Sequence, residues 1–465
     1  MKRTFRAFTA LALAMLTLMA LTAFPAGASA AEEIMIQNPY KDVNWSVDAP
    51  RRAQLHTHTT ASDGKQTMAE ALESYYAAGY DFVAVTDHGL IDRGWADPNY
   101  RPVFKFFWNL FAGDGIFAAK NNKNRPIVIQ GLSEERLREM SEGVGRGGRG
   151  MVRVPLGIEH NHPTHKMHLN SWFVDWGSII PGGGKDYATV VRNINRKGGL
   201  VQINHPGDTP YVKLPLAEVF EAADKQGNYY VNKAQRLFAK YPALLAIEIK
   251  EERDRKLWDI LLTNLAPQGR SVFATATSDS HGADSVDTRW IWALTQERTV
   301  ESLRASLEAG AFFSAARHAT HPDILAAVKR AGLETTVEDG SEYWEADSAQ
   351  AEPMITSIAV EEGAIALTAA NHRIVQWVSD GKVVATGDTL SLTENRDRLG
   401  AYVRAEIIGV GGILYTQPFL LSYAGMPEGN PVPRRFVDSD GFFGSLRMLL
   451  YPFVWVIDKL WARRW

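Results

Sequence analysis

Between about Gln54 and His321 the chain alternates short apolar runs with stretches of helical periodicity. Arg52 to His58 reads as a short extended run, and Phe82-Val83-Ala84-Val85-Thr86 as a buried strand ending at Asp87-His88. Gly199 to Ile203 leads into Asn204-His205, Leu244 to Ile249 forms another strand, and Ser271 to Thr277 leads into Ser278-Asp279. Met68, Leu72, Tyr75 and Tyr76 recur at helix-face spacing over Met68–Ala78, and a helix over Val300–Ala309 closes the region. Alternation of this kind predicts a parallel sheet or barrel. The apolar strands run into a histidine or aspartate at their C-terminal edge, which is where parallel barrels carry their active sites.

From Asp92 to Arg153 the pattern is interrupted. Arg101 to Phe117 is rich in aromatic residues, and Gly143 to Gly150 is a glycine–arginine tract. That tract reads either as a plain mobile loop or as a lid offering Arg146, Arg149 or Arg153 to an anionic substrate. Pro322 to Ala351 reads as a helix and a polar connection. Short alternating strands then fill Ile355 to Tyr423, with Asp380-Gly381 as a hairpin turn between Ile374–Val378 and Val383–Ala385. These predict a small all-β, sandwich-like module with no catalytic cluster of its own. Phe442 to Trp465 mixes tryptophans, other apolar residues and four basic residues, interrupted by Pro452 and Asp458. It falls short of the ~20 apolar residues that a membrane span needs. It reads either as a helix packed on the body or as an interfacial helix touching a membrane surface.

The first residues change the setting. Lys2, Arg3 and Arg6 precede an apolar run from Ala7 to Phe24 and the small residues Ala26 to Ala31, the three parts of a Sec-type signal peptide. An uncleaved membrane anchor is the alternative. Export would place the protein outside the cell, in a periplasm or at the cell surface. Loss of residues 1–31 removes three positive charges and no negative ones, taking the formal charge from -3 to -6. That balance argues against tight binding to duplex DNA. With no cysteine in the chain, disulfides and thiolate chemistry are excluded, so a metal site must be built from His, Asp and Glu.

Those residues are present in a telling order. His56-Thr57-His58 on a strand puts both imidazoles on one side, because strand side chains repeat every two residues. Asp63 follows in Ser62-Asp63-Gly64. Asp87-His88, Gly157-Ile158-Glu159, His205-Pro206 and Asp279-Ser280-His281 each follow a predicted strand. Imidazoles joined by carboxylates are the usual ligands of hydrolytic zinc or manganese.

In these phrases, together with Asn204-His205-Pro206 and Thr277-Ser278-Asp279-Ser280-His281-Gly282, the stretch from about His56 to Arg317 resembles the polymerase-and-histidinol-phosphatase (PHP) family of metal-dependent phosphoesterases. The resemblance implies a distorted (β/α)7 TIM-like barrel with two or three divalent ions (Zn, Mn or Fe) at its C-terminal face. It implies one ion on His56, His58, Glu159 and Asp279, with Glu159 bridging to a second on His168 and His205. A third would use Asp63, His88 and His281. His160, His162 and His165 compete with His168, which is preferred for its apolar flanks in Lys166-Met167-His168-Leu169. Asp87 and His281 are the catalytic candidates, Asp87 by orienting a ligand. The expected division is a signal peptide at 1–31 and a metal-dependent hydrolase domain at 32–322 with an insertion at about 92–153. A connection at 323–352, a β-domain at 353–424 and a linker with an amphipathic segment at 425–465 follow.

The chemistry implied is attack by a metal-bound hydroxide on a phosphate ester. The substrate would be a phosphorylated small molecule, a nucleotide or a nucleic-acid end, the last by 5'-3' exonuclease-type cleavage. Two alternatives stand beside it: hydrolysis of a phosphorylated glycan or lipid headgroup, and a non-catalytic metal-binding surface module.

Overall fold

The structure is a computed structural model describing residues 34–96, 130–162, 165–177, 187–208, 229–361 and 363–431. The expected signal peptide, the aromatic stretch 101–117 and the C-terminal segment 442–465 lie outside the described residues. Among the described residues no helix is long and apolar enough to cross a membrane.

Three parallel strands form a first arc: β1 (Ala49–Gln54), β2 (Phe82–Val83) and β3 (Val152–Arg153). Helix α1 (Met68–Ala77) links β1 to β2, and α2 (Glu134–Glu142) precedes β3. A reciprocal cap starts α1: the Glu70 amide donates to Thr67 Oγ1 (3.2 Å), and the Thr67 amide donates to the Glu70 carboxylate (2.7 Å). Met68, Leu72, Tyr75 and Tyr76 are all buried, as their spacing requires.

A second arc contains β4 (Ile158–His162), β5 (His165–Trp172), β6 (Leu200–Asn204), β7 (Leu244–Glu248) and β8 (Phe273–Thr275). Here β4 and β5 are antiparallel, as are β5 and β6, whereas β6, β7 and β8 run parallel. Helices α3 (Tyr187–Lys197), α4 (Tyr229–Lys240) and α5 (Glu252–Leu265) pack on this arc through Val190, Ile194, Phe238, Trp258 and Leu261.

The expected distorted (β/α)7 TIM-like barrel is therefore seen only in part: the fold is mixed α/β, and among the described residues the strands do not close into a barrel. Among the described residues the two arcs share no continuous strand pairing: isolated parallel bridges join Thr57 to Ser280 and His88 to Glu159 at the C-terminal rims, and side chains of both arcs pack together below them. Two local causes account for this. The connection from β4 to β5 is too short for the crossover that parallel strands need, so that pair must be antiparallel. The second edge of β1 is occupied by antiparallel β9 (Arg289–Thr295), which pairs Ile291 with Ala53.

Beyond β9 come α6 (Val300–Ala309), β10 (Phe312–Ala316) and α7 (Pro322–Arg330). The region expected as a polar connection also contains short strands at Thr336–Glu338 and Ser341–Glu345. The C-terminal strands are β11 (Met354–Glu361), β12 (Ala364–Ala370), β13 (Ile374–Ser379), β14 (Lys382–Thr386), β15 (Tyr402–Gly409), β16 (Gly412–Tyr415) and β17 (Phe419–Ser422). Strands β11 and β12 belong to one sheet, and β13, β15 and β16 to the sheet that continues through β10 into β9 and β1. Ile358, Leu367, Trp377, Val403 and Ile407 from both sheets fill one core, giving a sandwich-like layering. Asp380 (φ 47) and Gly381 (φ 70) make the β13–β14 turn with two left-handed residues, as a two-residue hairpin of matching twist requires.

The glycine–arginine tract lies at the far edge from the histidines. Arg149 donates to both oxygens of Asp81 (2.7 and 2.6 Å), and Arg146 donates to the Tyr80 carbonyl (2.8 Å). Asp81 immediately precedes β2, so both arginines fasten the N-terminal edge of the sheet. Arg153 donates to the Asp92 carbonyl (3.2 Å). The lid alternative for Arg146 and Arg149 is corrected: Arg149 Nε and Nη2 and Arg146 Nη1 are committed to the scaffold at Asp81 and Tyr80.

Candidate metal centre

The nine residues expected as ligands converge on one rim. His56 and His58 follow β1, and His88 follows β2. Glu159 lies on β4, His168 on β5, His205 just after β6, and Asp279 and His281 after β8. Asp63 comes from the loop after His58, which turns tightly at Gly64: a Cβ there would stand 2.6 Å from the His58 carbonyl oxygen. His205 (φ 26) and Asp279 (φ 49) adopt the left-handed backbone that non-glycine residues seldom take. Each leaves its strand with a turn that swings the side chain over the rim, and such strain collects at functional sites.

Glu159 is the hub. Its Oε1 lies 3.3 Å from His56 Nε2, 3.0 Å from His168 Nδ1 and 3.4 Å from His205 Nε2. Its Oε2 lies 3.3 Å from His58 Nε2 and 2.5 Å from His88 Nδ1. Asp279 Oδ1 stands 3.3 Å from His56 Nε2 and 3.1 Å from His58 Nε2, which are themselves 3.1 Å apart. At the outer edge Asp63 Oδ1 is 3.2 Å from His281 Nε2, and Asp63 Oδ2 is 3.5 Å from His88 Nε2. The compact groups are His56/His58/Asp279, His56/Glu159/His205, His88/Glu159/His168 and His58/Asp63/His88/His281. Thus His168 clusters with His88 as well as neighbouring His205. The gradient runs from fully buried Glu159 and His56 to Asp63, whose side chain is 46% exposed.

The donor chemistry fits divalent ions. His56 donates Nδ1–H to Glu248 Oε1 (2.9 Å), leaving the Nε2 lone pair facing the rim. Ser62 Oγ donates to Asp87 (2.5 Å), so His58 Nδ1–H donates to Ser62 Oγ (3.3 Å), again leaving Nε2 as a lone pair. Two imidazole lone pairs 3.1 Å apart beside a carboxylate repel one another unless a cation lies between them. Ligand atoms around an ion at ~2.0–2.2 Å stand roughly 3.0–3.5 Å from each other, which is the spacing seen here. The local field agrees. Burial alone would discharge His56, but Glu248, Asp279 and Glu159 outweigh it and hold its pKa well above the ordinary histidine value. Burial would likewise raise the Glu159 carboxyl, yet His88, His168 and His56 hold it well below the usual range. His58 is pushed down, first by burial and then by the His88 charge. A field that draws protons to these lone pairs also draws divalent cations.

The Asp87 side chain ties the loop that follows His58, and its backbone carbonyl accepts from the Glu159 amide (3.4 Å). The carboxylate accepts from the Thr59 amide (2.8 Å), Thr59 Oγ1 (2.7 Å) and Ser62 Oγ, and so orients His58. His281 donates Nδ1–H to the Asp279 carbonyl (2.8 Å), which directs Nε2 toward Asp63. Among the competing histidines, His160 faces the other way, against Ser171 Oγ (2.8 Å) and Trp176. The side chains of His162 and His165 lie outside the described residues.

Glu248 and Lys250 escape the sequence reading, and Asn204 enters it only within Asn204-His205-Pro206, without a role. Glu248 ends β7 and, besides His56, accepts from the His205 amide (2.9 Å) and Thr277 Oγ1. Lys250 Nζ donates to Asp279 Oδ2 (2.9 Å). Asn204 donates to Glu159 Oε1 (2.9 Å) and so positions the hub. The available signal was the one that found the ligands: a polar residue closing an apolar run, here Glu248 at the end of Leu244–Glu248.

No protein-family model matches the chain, and no curated protein does. Solved structures do. A two-domain protein from Bacteroides vulgatus containing a predicted PHP-like metal-dependent phosphoesterase is 13% identical, with 87% of this chain and 98% of that one covered and a TM-score of 0.37. A lesion-specific endonuclease from Pyrococcus furiosus is 12% identical over 56% of each chain, with a TM-score of 0.32. An amidohydrolase from Chromobacterium violaceum is 13% identical over 50% of this chain and 87% of that one, with a TM-score of 0.25. The metal-centre assignment rests on the side chains themselves.

Proposed function

We propose that the chain is a metal-dependent hydrolase of phosphate esters. The observation that carries the reading is the hub: one buried carboxylate, Glu159, facing five imidazoles with its two oxygens. A carboxylate in that position would hold divalent ions together with those imidazoles. Bound there, divalent ions would supply Lewis acidity, neutralising phosphoryl oxygens and making water acidic enough to attack at neutral pH. Zinc, manganese and iron all suit the donor set.

The chain's own residues divide the remaining work. Glu159 and Asp279 supply buried negative charge, Glu248 fixes the His56 ring, and Asp87 fixes His58 through Ser62. Lys250 steers Asp279 by holding its second oxygen. His281 sits at the open edge with Nδ1 committed to a carbonyl. Its Nε2 therefore serves either a third ion, with Asp63 and His88, or a proton delivered to a leaving oxygen, but not both. Three metals per chain would assign the ligand role, and two the proton role.

The phosphoester part of the reading is supported by the resemblance carried by His56-Thr57-His58, Asp87-His88, Asn204-His205-Pro206 and Asp279-Ser280-His281. We assign a phosphomonoester, nucleotide or nucleic-acid end as substrate, hydrolysed after export. The test is phosphate release from an aryl phosphate by the purified, manganese- or zinc-loaded protein. His58→Ala should remove the activity while leaving the circular dichroism spectrum unchanged. Full metal occupancy with no turnover of phosphomonoesters, diesters or nucleotides would sink the reading.

A further inference from the structure

The segments that carry His56, His58 and Asp279 come from different arcs and meet at a seam. Pairing between β1 and β9 ends at Ala53 and Ile291. Pairing between the end of β1 and the segment after β8 begins where the His58 amide donates to the Ser280 carbonyl (2.9 Å). In the gap the Leu55 and His56 amides donate to a side chain instead, Gln54 Oε1, at 3.1 Å each. The same oxygen accepts from the Ser278 amide (3.3 Å). Gln54 Nε2 donates to Ser278 Oγ (2.8 Å) and to the Arg289 carbonyl (3.1 Å).

Gln54 is fully buried, and its amide group does at the seam what a peptide unit does inside a sheet. Exchanging its oxygen and nitrogen would set an NH2 against three backbone N–H groups, so the network fixes its orientation. Two ligand-bearing segments depend on this one side chain: His56 stands two residues after Gln54, and Asp279 follows Ser278 directly. Tyr75 adds a second tie, accepting from Thr57 Oγ1 (2.7 Å) with its hydroxyl 3.4 Å from Ser278 Oγ. Asp279 Oδ1 lies 3.3 and 3.1 Å from the Nε2 atoms of His56 and His58. Such a constellation works only when its members are held to within about 0.5 Å, and here continuous strand pairing does not do the holding.

We propose that Gln54 is a positioning residue of the metal centre: through Ser278 it sets Asp279 against His56 and His58. It acts through the backbone of the two segments and touches none of the three ligand side chains. The inference rests on the metal-dependent reading of the rim.

Gln417 supplies a control. It too is fully buried, and its side chain pairs in the same manner with the Ala274 amide and carbonyl (2.9 Å each), within β8 and below the rim. The test is titration of the full-length protein with cobalt(II), whose visible absorption bands respond to the number and arrangement of its ligands. Gln54→Met keeps the length of the side chain and loses its hydrogen bonds. It should weaken cobalt binding by about 10–100-fold and shift the bands. Ser278→Ala breaks one link of the same chain and should act in the same direction by less than about tenfold. Gln417→Met should lower the urea midpoint, leave cobalt affinity within about twofold and leave the bands in place. Wild-type affinity and bands in Gln54→Met, or in Ser278→Ala should Gln54→Met not fold, would overturn the proposal. Equal changes in Gln417→Met would overturn it as well, by making the effect a general loss of packing. A wild-type protein that takes up no cobalt would overturn the metal-dependent reading itself, and the proposal with it.

Discussion

Two buried clusters of charge differ in one respect that separates scaffold from site. Where β15 meets α5, Arg404 donates to both oxygens of Asp259 (2.9 and 2.8 Å) and to Glu406 (2.6 Å), and Arg255 donates to Glu406 (2.6 Å). Each carboxylate there has its guanidinium, and Arg404 also stacks 4.4 Å over Trp258. At the histidine rim, Glu159 is as deeply placed and Asp279 is partly buried, but imidazole lone pairs surround them and Lys250 is the cation at hand. The first cluster is electrically complete. The second would be completed by divalent ions, so buried charge by itself does not identify a site, whereas its imbalance does.

The sharpest way to break this contrast is to remove a ligand at the rim. Asp279→Asn keeps a side chain that tolerates the left-handed backbone and deletes the charge. Metal uptake should fall by at least one ion per chain, and hydrolysis should drop about a hundredfold or more. Unaltered metal content, read by elemental mass spectrometry, would place Asp279 outside the coordination. The complementary break is Arg404→Met, which leaves Asp259 and Glu406 partly uncompensated in the interior. Stability in urea should fall by about 3–5 kcal/mol while metal content stays the same. A change below about 1 kcal/mol would mean that the cluster is more hydrated than its burial implies.

A smaller effect sharpens the comparison from within the rim. Glu248→Gln removes the charge behind His56 but keeps an acceptor, so metal affinity should weaken by about 10–100-fold without loss of fold. An equal loss of activity and stability would make Glu248 a scaffold residue instead.

The smallest effect is pH dependence at the complete cluster. Arg255 and Arg404 outweigh burial and hold the Glu406 carboxyl well below the usual range. Its stabilisation is whole above the unfolded value near ~4.3 and is lost as pH falls through the folded one. Burial, and then the Arg255 charge, push His321 down to about 3. Its contribution is whole above ~6.5 and fades as pH falls toward 3, because the unfolded state takes up the proton first. Urea midpoints should therefore decline on the acid side, starting near pH ~6.5. His321→Asn should flatten the early part of that decline, since asparagine can still cap α7 as His321 does.

The same contrast shows what could be read in the sequence. Ligands at strand ends were legible because local order carries them: His56 and His58 share a face, and Asp279 and His281 follow one apolar run. Helices α1 and α6 and the Asp380-Gly381 turn were legible for the same reason, each being set by residues within a few positions. Strand direction was not. Nothing local says that β5 runs antiparallel to β6, or that β9 takes the edge of β1 that would have closed a barrel. Pairings distant in sequence were equally hidden. Asp81 holds Arg149 across 68 positions, and Asp259 holds Arg404 across 145. Glu248 was missed between the two cases: its place at a strand end was visible, but its partner His56 lies 192 positions away.

The central claim is that the rim is incomplete without ions and that Glu159 joins them. Elemental analysis of the purified full-length protein beside Glu159→Gln tests it most directly. Two or three divalent ions per chain in the wild type, with at least one lost from a folded Glu159→Gln, is the result predicted. Fewer than one ion per wild-type chain after metal loading, or the same count in both proteins, would contradict it.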